Sequence, residues 1–574
     1  MRQWKIALGM LAIWLCIVLY MTISVPSGQE TASRTERNLA KAMEELEKLN
    51  KQNKELQQLM AQFKESSLLN NQPVNTEVKQ LQSRLQKASD DLSFFSEKAD
   101  MSPRALTAEE EQARRKAENT MTELWYFLES QLNKIEKNLD KAHVSSLRRN
   151  LEGYRRTMLE DFEQLRAANK ANEWRLEKSK ELGDLVQRRF EYLQNPVDCK
   201  KAKKVVCNLH KGCGFGCQLH HIAYCLIAGY AMERTLILES KGWRYSPKGW
   251  ESVFQPLSKT CTEAGSRSRK PWGSSQKDMD KYLAIDLPIV DSLHPRPDFM
   301  PLSVPEDLAE ELSTFHGDPA VWWIGQVITY LLRMQPDIEK DVLNTGKKMG
   351  FKNTIVGLHV RRTDKINLEA AYHSIEEYMS HVKEFYDQLE RKHPNIARRV
   401  YLATDDANVL PDAKLKYPGY TFISDITISQ SAGLGTRYTD SSLRGVIIDI
   451  YYLARCDFLV CTFSSQVCRV AYEVMQTLHG DASKYFRSLD DVFYYGGQNA
   501  HDLRIIEAHQ SDGDNVMEIQ PGDRVGIAGN HWDGYSKGTN RRTGVSGLFP
   551  SYKAENPVIG VKMPTYPDVP RKKS

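Results

Sequence analysis

The sequence predicts an α/β protein organised on a buried parallel sheet, and three stretches carry the prediction. Thr354 to Val360 is mostly apolar and partly β-branched, the pattern of a strand covered on both faces, and it ends abruptly in Arg361 and Arg362. Arg399 to Asp406 repeats that pattern, apolar first and then Thr404-Asp-Asp406. Phe458-Leu-Val-Cys461 leads through Thr462-Phe-Ser-Ser-Gln466 into the helical pattern Val467 to Leu478. Tyr420 to Asp425 reads as a further strand of the same kind. Ligands of open α/β sheets sit beyond the carboxyl ends of the strands, so these polar ends mark where a site belongs.

Arg361 and Arg362 are guanidinium forks, the usual partners of phosphate. Side chains alternate along an extended segment, so one arginine is expected to face the crevice while the other braces it. Taken alone, such a pair reads as two solvated residues at a strand end. Ser464, Ser465 and Gln466 stand at a helix start, where hydroxyls and backbone N–H groups can meet a phosphate or simply cap the helix. Asp449 is set among isoleucines in the apolar helix Leu443 to Ala454 and needs a partner, either a structural arginine or a guanine edge.

In chain order, 574 residues leave room for two or three domains, and a net charge of +4 with 26% charged residues gives no nucleic-acid footprint. After Arg2 and Lys5, Ile6 to Val25 is an uncharged apolar run long enough to cross a bilayer. Read as an uncleaved signal anchor (6–25), it leaves residues 1–5 in the cytosol and the remainder in a lumen. Residues 26–101 read as a coiled-coil stem, with Leu39, Leu46, Asn53 and Met60 at one seam position and Ala42, Leu49, Leu56 and Phe63 at the other. The lone Asn53 favours a parallel homodimer, the alternative being a monomeric stalk folded back on itself. Residues 102–195 are helical, with Leu124, Phe127, Leu128, Leu132, Ile135 and Leu139 at helical spacing.

Residues 196–345 read as a first α/β domain. Its Lys211-Gly-Cys-Gly-Phe-Gly-Cys217 loop, Gly214 at its centre, runs into the helical pattern Leu219 to Ala231 and the strand Thr235 to Glu239. A glycine-rich turn before a helix allows a phosphate to approach, and it also serves any tight turn. Trp322 and Trp323 read as core, and Pro295 to Pro301 as a rigid loop. Residues 346–498 hold the parallel-sheet stretches described above, 499–556 a small all-β unit, and 557–574 a Pro- and Lys-rich tail expected to be disordered.

Ten cysteines, most of them clustered in the first α/β domain and near the end of the second, read first as disulfides in a lumenal chain. Cys213-Gly-Phe-Gly-Cys217 lacks a second, correctly spaced ligand pair for zinc. Asp278-Met-Asp280 and Asp512-Gly-Asp514 have the spacing of a metal-diphosphate motif, but the first lies in a polar loop and the second in the small all-β segment, so both read as accidental and no metal is expected.

His359-Val-Arg-Arg-Thr-Asp-Lys365, Thr404-Asp-Asp406 and Cys461-Thr-Phe-Ser-Ser-Gln-Val-Cys468 together resemble the GDP-fucose fucosyltransferases, in particular those forming α-1,6 linkages on N-glycans. The resemblance implies a metal-independent GT-B-like architecture with a Rossmann-type nucleotide-binding domain, GDP-fucose as donor, N-glycoproteins with terminal GlcNAc as acceptors, and residence in the Golgi membrane. It implies donor contacts from Arg361, Arg362, His359, Asp449, Tyr245, Ser465, Gln466, Gly214 and Asp406. Acceptor contacts are implied for Lys211, Asp291, Asp490, Asp491 and His531. It further implies the disulfides Cys199 with Cys261, Cys207 with Cys225, Cys213 with Cys217 and Cys461 with Cys468, leaving Cys456 as a buried thiol. The 499–556 segment resembles a Src-homology-3 barrel, although Ile505 to Gln510 replaces its usual binding-groove segment.

Transfer from a nucleotide sugar requires stabilising a departing diphosphate and removing a proton from the attacking hydroxyl. Arg361, Lys365 and the helix start at Ser464 and Ser465 can supply the first without metal. Glu369, four residues beyond Lys365, shares a face with it if the segment is helical, and the lysine can then orient the acid as base. The resemblance matches the family's catalytic glutamate to Glu369. Two alternatives are a transferase acting on protein hydroxyls or chitooligosaccharides, and a non-enzymatic Golgi tether built of coiled coil and adaptor barrel.

Overall fold

The apolar stretches of the second α/β domain can be buried on both faces only if strands lie side by side under helices, and that is the arrangement in the computed structural model. It describes residues 107–137, 141–265, 269–273, 279–362, 371–433, 435–511, 513 and 515–571. The anchor, the stem, Lys365, Glu369, Asp278, Asp512 and Asp514 lie outside the described residues.

Among the described residues, three long helices come first: α1 (Ala108–Ile135), α2 (Lys141–Ala168) and α3 (Ala171–Gln194). Thr107 and Glu110 close a reciprocal capping box at the start of α1, satisfying backbone donors that the helix itself leaves orphaned. Helix α3 turns Leu182, Leu185, Val186, Phe190 and Leu193 into the main core. Leu132 is buried as helical spacing predicts, but Leu124, Phe127 and Ile135 remain substantially exposed.

The first α/β layer has a four-stranded parallel sheet, order β2-β1-β4-β3, from β1 (Lys204–Asn208), β2 (Thr235–Glu239), β3 (Arg269–Pro271) and β4 (Ala284–Asp286). Helix α4 (Phe215–Ala231) connects β1 to β2 and is buried along almost its whole length. After β5 (Ser303–Pro305) and α5 (Glu306–Phe315), α6 (Pro319–Leu331) starts on an Asp318 cap and a first-turn proline, and buries Trp322 and Trp323. Helix α7 (Pro336–Met349) leads to the second layer.

That layer is a five-stranded parallel sheet in the order β10-β9-β6-β7-β8, formed by β6 (Val356–Val360), β7 (Arg399–Thr404), β8 (Thr421–Ile423), β9 (Phe458–Cys461) and β10 (Phe486–Ser488). Helices α8 (Ile375–Glu390), α9 (Val409–Lys416), α10 (Ile426–Ser431), α11 (Asp440–Leu453) and α12 (Gln466–Leu478) join them. Strand β6 is central, and its register sets Leu358 beside both Leu402 and Val460 and Val360 beside Thr404. Its carboxyl end therefore faces the polar ends of both neighbours.

An antiparallel five-stranded sheet, order β14-β13-β12-β11-β15, follows, from β11 (Asp502–Ile505), β12 (Arg524–Asn530), β13 (Tyr535–Asn540), β14 (Ser546–Pro550) and β15 (Ala554–Glu555). Ile505, Met517, Ile519, Val525 and Phe549 form its own small core. The tail departs from the expectation of disorder. Strand β16 (Ile559–Val561) pairs in parallel with β5, Met563, Tyr566 and Val569 are buried, and the Tyr566 hydroxyl donates to the Tyr230 carbonyl at 2.7 Å. Composition misled here because three well-spaced apolar anchors suffice to dock a segment that is otherwise Pro- and Lys-rich.

The disulfides join Cys199 to Cys261, Cys207 to Cys225, Cys213 to Cys217 and Cys461 to Cys468, the pairings the resemblance implies, and Cys456 is a buried free thiol.

Candidate functional site

Because β6 and β7 run in register, the residues just past their ends meet. Arg361 forms a 2.8 Å ion pair with Asp405, whose side chain is only 3% exposed. The other Asp405 oxygen accepts the Arg362 backbone N–H at 2.8 Å. Arg362 pairs with the next acid, Asp406, at 3.6 Å, and its guanidinium lies over the Tyr372 ring. The expected division into one facing and one bracing arginine is thus drawn differently: each takes its own acid from the neighbouring strand. A buried carboxylate that lost its partner would be strongly unfavourable, so Asp405 ties down both the guanidinium of Arg361 and the backbone after it. Asp405 is the residue that the sequence reading missed. Its signal was present, a double acid ending the strand beside the double arginine.

Two helix starts converge next to this rim. Helix α4 begins after Gly214 and α12 after Ser465, neither with a side-chain cap. A Cβ at Gly216 would stand 3.0 Å from the backbone of Gln466, so any larger residue would push the two starts apart by a few tenths of an ångström. Both helix starts carry partial positive charge from unsatisfied N–H groups. Tyr245 is buried beneath them, its hydroxyl accepting the Phe215 N–H at 2.9 Å. Burial raises its phenol above the usual range.

The serine turn is less open than the sequence suggests. The Asp490 carboxylate accepts the N–H groups of Phe463 and Ser464 at 2.8 and 3.2 Å, and the Ser488 hydroxyl as well. Asp490 therefore shapes the turn, and the anion-facing contribution passes to Ser465, Gln466 and the first turn of α12.

On the other side of β6, His359 is 6% exposed and its Nδ1 has no hydrogen-bond partner. Burial, with Arg361 nearby, pushes its imidazole down to about 4, so it is neutral at pH 7. Asp449 accepts a 2.9 Å hydrogen bond from the Tyr401 hydroxyl, so the partner is a phenol and not the arginine considered from the sequence. Burial raises its carboxyl to about 7.

Lys211 and Asp291 form a 3.2 Å ion pair across the first layer's rim, with Asp291 largely exposed. The Asp491 carboxylate accepts the Val492 N–H at 2.8 Å, lies beside Gly529 of β12, and is shifted upward by burial. The exposed His531 donates its backbone N–H to the Tyr535 carbonyl at 3.0 Å. Asp280 pairs with Lys203 and Arg234. Among the described residues, the donor atoms of Cys207, His221 and Cys225 lie within 4.8 Å of one another. Both sulfurs are spent in a disulfide and His221 Nε2 bonds the Asn208 carbonyl oxygen, so that trio is not a free ligand set.

What the rim can do is hold a polyanion beside a neutral imidazole and a carboxyl poised near neutrality. Comparison with known proteins gives a consistent picture. The family described as "Alpha-(1,6)-fucosyltransferase N- and catalytic domains" matches residues 1–494. An alpha-(1,6)-fucosyltransferase of Drosophila melanogaster is 43% identical over 596 aligned residues, covering 96% of each chain. One of Caenorhabditis elegans is 44% identical over 389, covering 66% of this chain and 69% of that one. Among solved structures, NodZ alpha-1,6-fucosyltransferase soaked with GDP-fucose shares 16% identity over 48% of this chain and 93% of its own. Its TM-score is 0.27.

Proposed function

Because the chain belongs to the alpha-(1,6)-fucosyltransferase family, we propose that it moves L-fucose from GDP-β-L-fucose to the 6-hydroxyl of the innermost, Asn-linked GlcNAc of N-glycans. That the chain is a glycosyltransferase with alpha-1,6-fucosyltransferase activity follows from the two relatives directly. Donor, acceptor and mechanism are the further reading. The observation that carries it is the Arg361–Asp405 pair beside two uncapped helix starts, a fixed cation facing two partial positive charges.

In this reading, Arg361 and the α4 and α12 starts accept the charge that builds on the diphosphate as the bond from fucose C1 to its phosphate oxygen breaks. The acceptor O6 forms its bond to C1 from the opposite face, so the β-linked donor gives an α-linked product. The O6 proton passes to Glu369, oriented by Lys365. His359 and Asp449 read the guanine edge, Tyr245 and Gly214 border the ribose and diphosphate, and Arg362 and Asp406 support Arg361. Lys211, Asp291, Asp490, Asp491 and His531 line the acceptor side. No metal is called on, since the rim carries its own positive charge. The two parallel layers support a GT-B arrangement with the second as a Rossmann-type donor domain, and the antiparallel sheet supports a Src-homology-3-like unit. A Golgi signal anchor at 6–25 and a dimerising stem at 26–101 complete the reading.

Offering the enzyme GDP-fucose with a biantennary N-glycopeptide bearing terminal GlcNAc, a chitooligosaccharide and a folded protein domain tests the acceptor. Fucose on the innermost GlcNAc of the glycopeptide alone is expected. Preferential transfer to either other acceptor overturns the assignment.

A further inference from the structure

One buried pair takes no part in the functions described so far. His220 (4% exposed) on α4 and Glu473 (0% exposed) on α12 meet in the interior, His220 Nε2 lying 2.9 and 3.0 Å from the two carboxylate oxygens. The other ring nitrogen, Nδ1, is 3.1 Å from Oε1 of Gln466, the first residue of α12. His220 stands one turn beyond Gly216 and Glu473 two turns beyond Gln466, so the contact continues the close approach of the two helix starts. Helix α6 fixes the far side, since a Cβ at Gly325 would overlap the Glu473 carbonyl oxygen.

An ionised Glu473 only accepts, so Nε2 then carries a proton. The Gln466 amide then has two choices. With Oε1 toward His220, Nδ1 must also carry a proton, the ring is an imidazolium neutralised by Glu473, and the amide NH2 group is turned away from the ring. With the amide reversed, the ring is neutral and Oε1, an acceptor, is the atom turned away. Beside a rim built to hold an anion, the first arrangement supplies a donor and the second a repulsion. The other charged and titratable groups around the pair are Arg469, whose guanidinium donates to the Tyr494 carbonyl, and Tyr495, whose hydroxyl donates to the His220 carbonyl oxygen. Asp490 lies beyond Arg469.

We propose that His220 and Glu473 are positioning residues, a buried imidazolium–carboxylate pair that locks the Gln466 amide with its NH2 group toward the donor diphosphate. The proposal rests on the donor reading given above. It also accounts for a buried histidine–glutamate contact between two layers at the point where both contribute to the rim.

GDP is titrated calorimetrically into the full-length protein in detergent, as wild type, Gln466→Ala, His220→Leu and the double variant. Each single change is expected to weaken GDP binding about tenfold, the value of one hydrogen bond to a charged group. The double variant is expected to be no weaker than Gln466→Ala, with the loss falling on donor KM and not on kcat. Effects that multiply, or His220→Leu binding like wild type, overturn the proposal. Wild type that fails to bind GDP overturns the donor reading itself, a separate result. Should His220→Leu not fold, neutron diffraction from wild-type crystals in D2O decides: deuterons on both His220 ring nitrogens support the pair, and a single deuteron contradicts it.

Discussion

The proposed donor and acceptor rims are built on opposite terms. On the donor rim the cation Arg361 is held by a carboxylate 3% exposed, and its neighbours His359 and Ser465 are buried. On the acceptor rim the cation Lys211 is held by Asp291, whose side chain is 63% exposed. Removing charge from water strengthens every interaction it retains and makes every lost partner more unfavourable. The donor rim is therefore preorganised and intolerant of change, whereas the acceptor rim is screened by solvent and adaptable.

The largest consequence is expected at Arg361. Arg361→Ala should lower transfer by on the order of 10²–10³-fold, as loss of one preorganised charge stabiliser does, and should also lower the thermal midpoint because the buried Asp405 loses its partner. Next comes its support. Asp405→Asn should lower transfer by roughly 10–100-fold through misplacement of the guanidinium, while Asp406→Asn, more exposed and more loosely paired, should change it only a few-fold. If the two asparagine variants behaved alike, the contrast between buried and exposed support would be broken.

A pH profile sharpens the comparison. Burial raises Asp449 to about 7, whereas a guanine edge rich in donors demands the ionised form. GDP affinity should therefore fall about tenfold per pH unit below 7, with proton release on binding, and Asp449→Asn should flatten the profile. The same shift has a stability signature. Between the ordinary aspartate value and about 7 the unfolded chain has lost a proton that the folded chain keeps, so Asp449 makes stability fall as pH rises through that window and leaves a constant penalty above it. Urea midpoints of wild type and Asp449→Asn across pH 4 to 8 would show this. The smallest effect is expected at the acceptor rim, where Lys211→Met should raise acceptor KM about two- to five-fold and leave donor KM unchanged.

Much of this was legible in the residues. The strands beginning near Thr354, Arg399 and Phe458 announced themselves by runs of apolar side chains, and their polar ends marked the rim. Helices α4, α11 and α12 were legible by periodicity, with starts displaced by a few residues from the expected ones. Pairings between distant segments were not legible, because periodicity reports which face is buried and not what it meets. Asp405 against Arg361, Asp490 against the serine turn and His220 against Glu473 are all of that kind. The tail was misjudged for the same reason: Tyr566 is an ordinary tail residue until the Tyr230 carbonyl is brought to it.

The affinity of GDP relative to guanosine, measured on wild type and Arg361→Ala, isolates the grip on the diphosphate most directly. A wild-type preference for GDP of roughly 100-fold or more should collapse nearly to parity in the variant, with guanosine binding unaltered. A preference for GDP that survives the substitution intact would mean that the diphosphate is held elsewhere and that the rim described here is not the donor site.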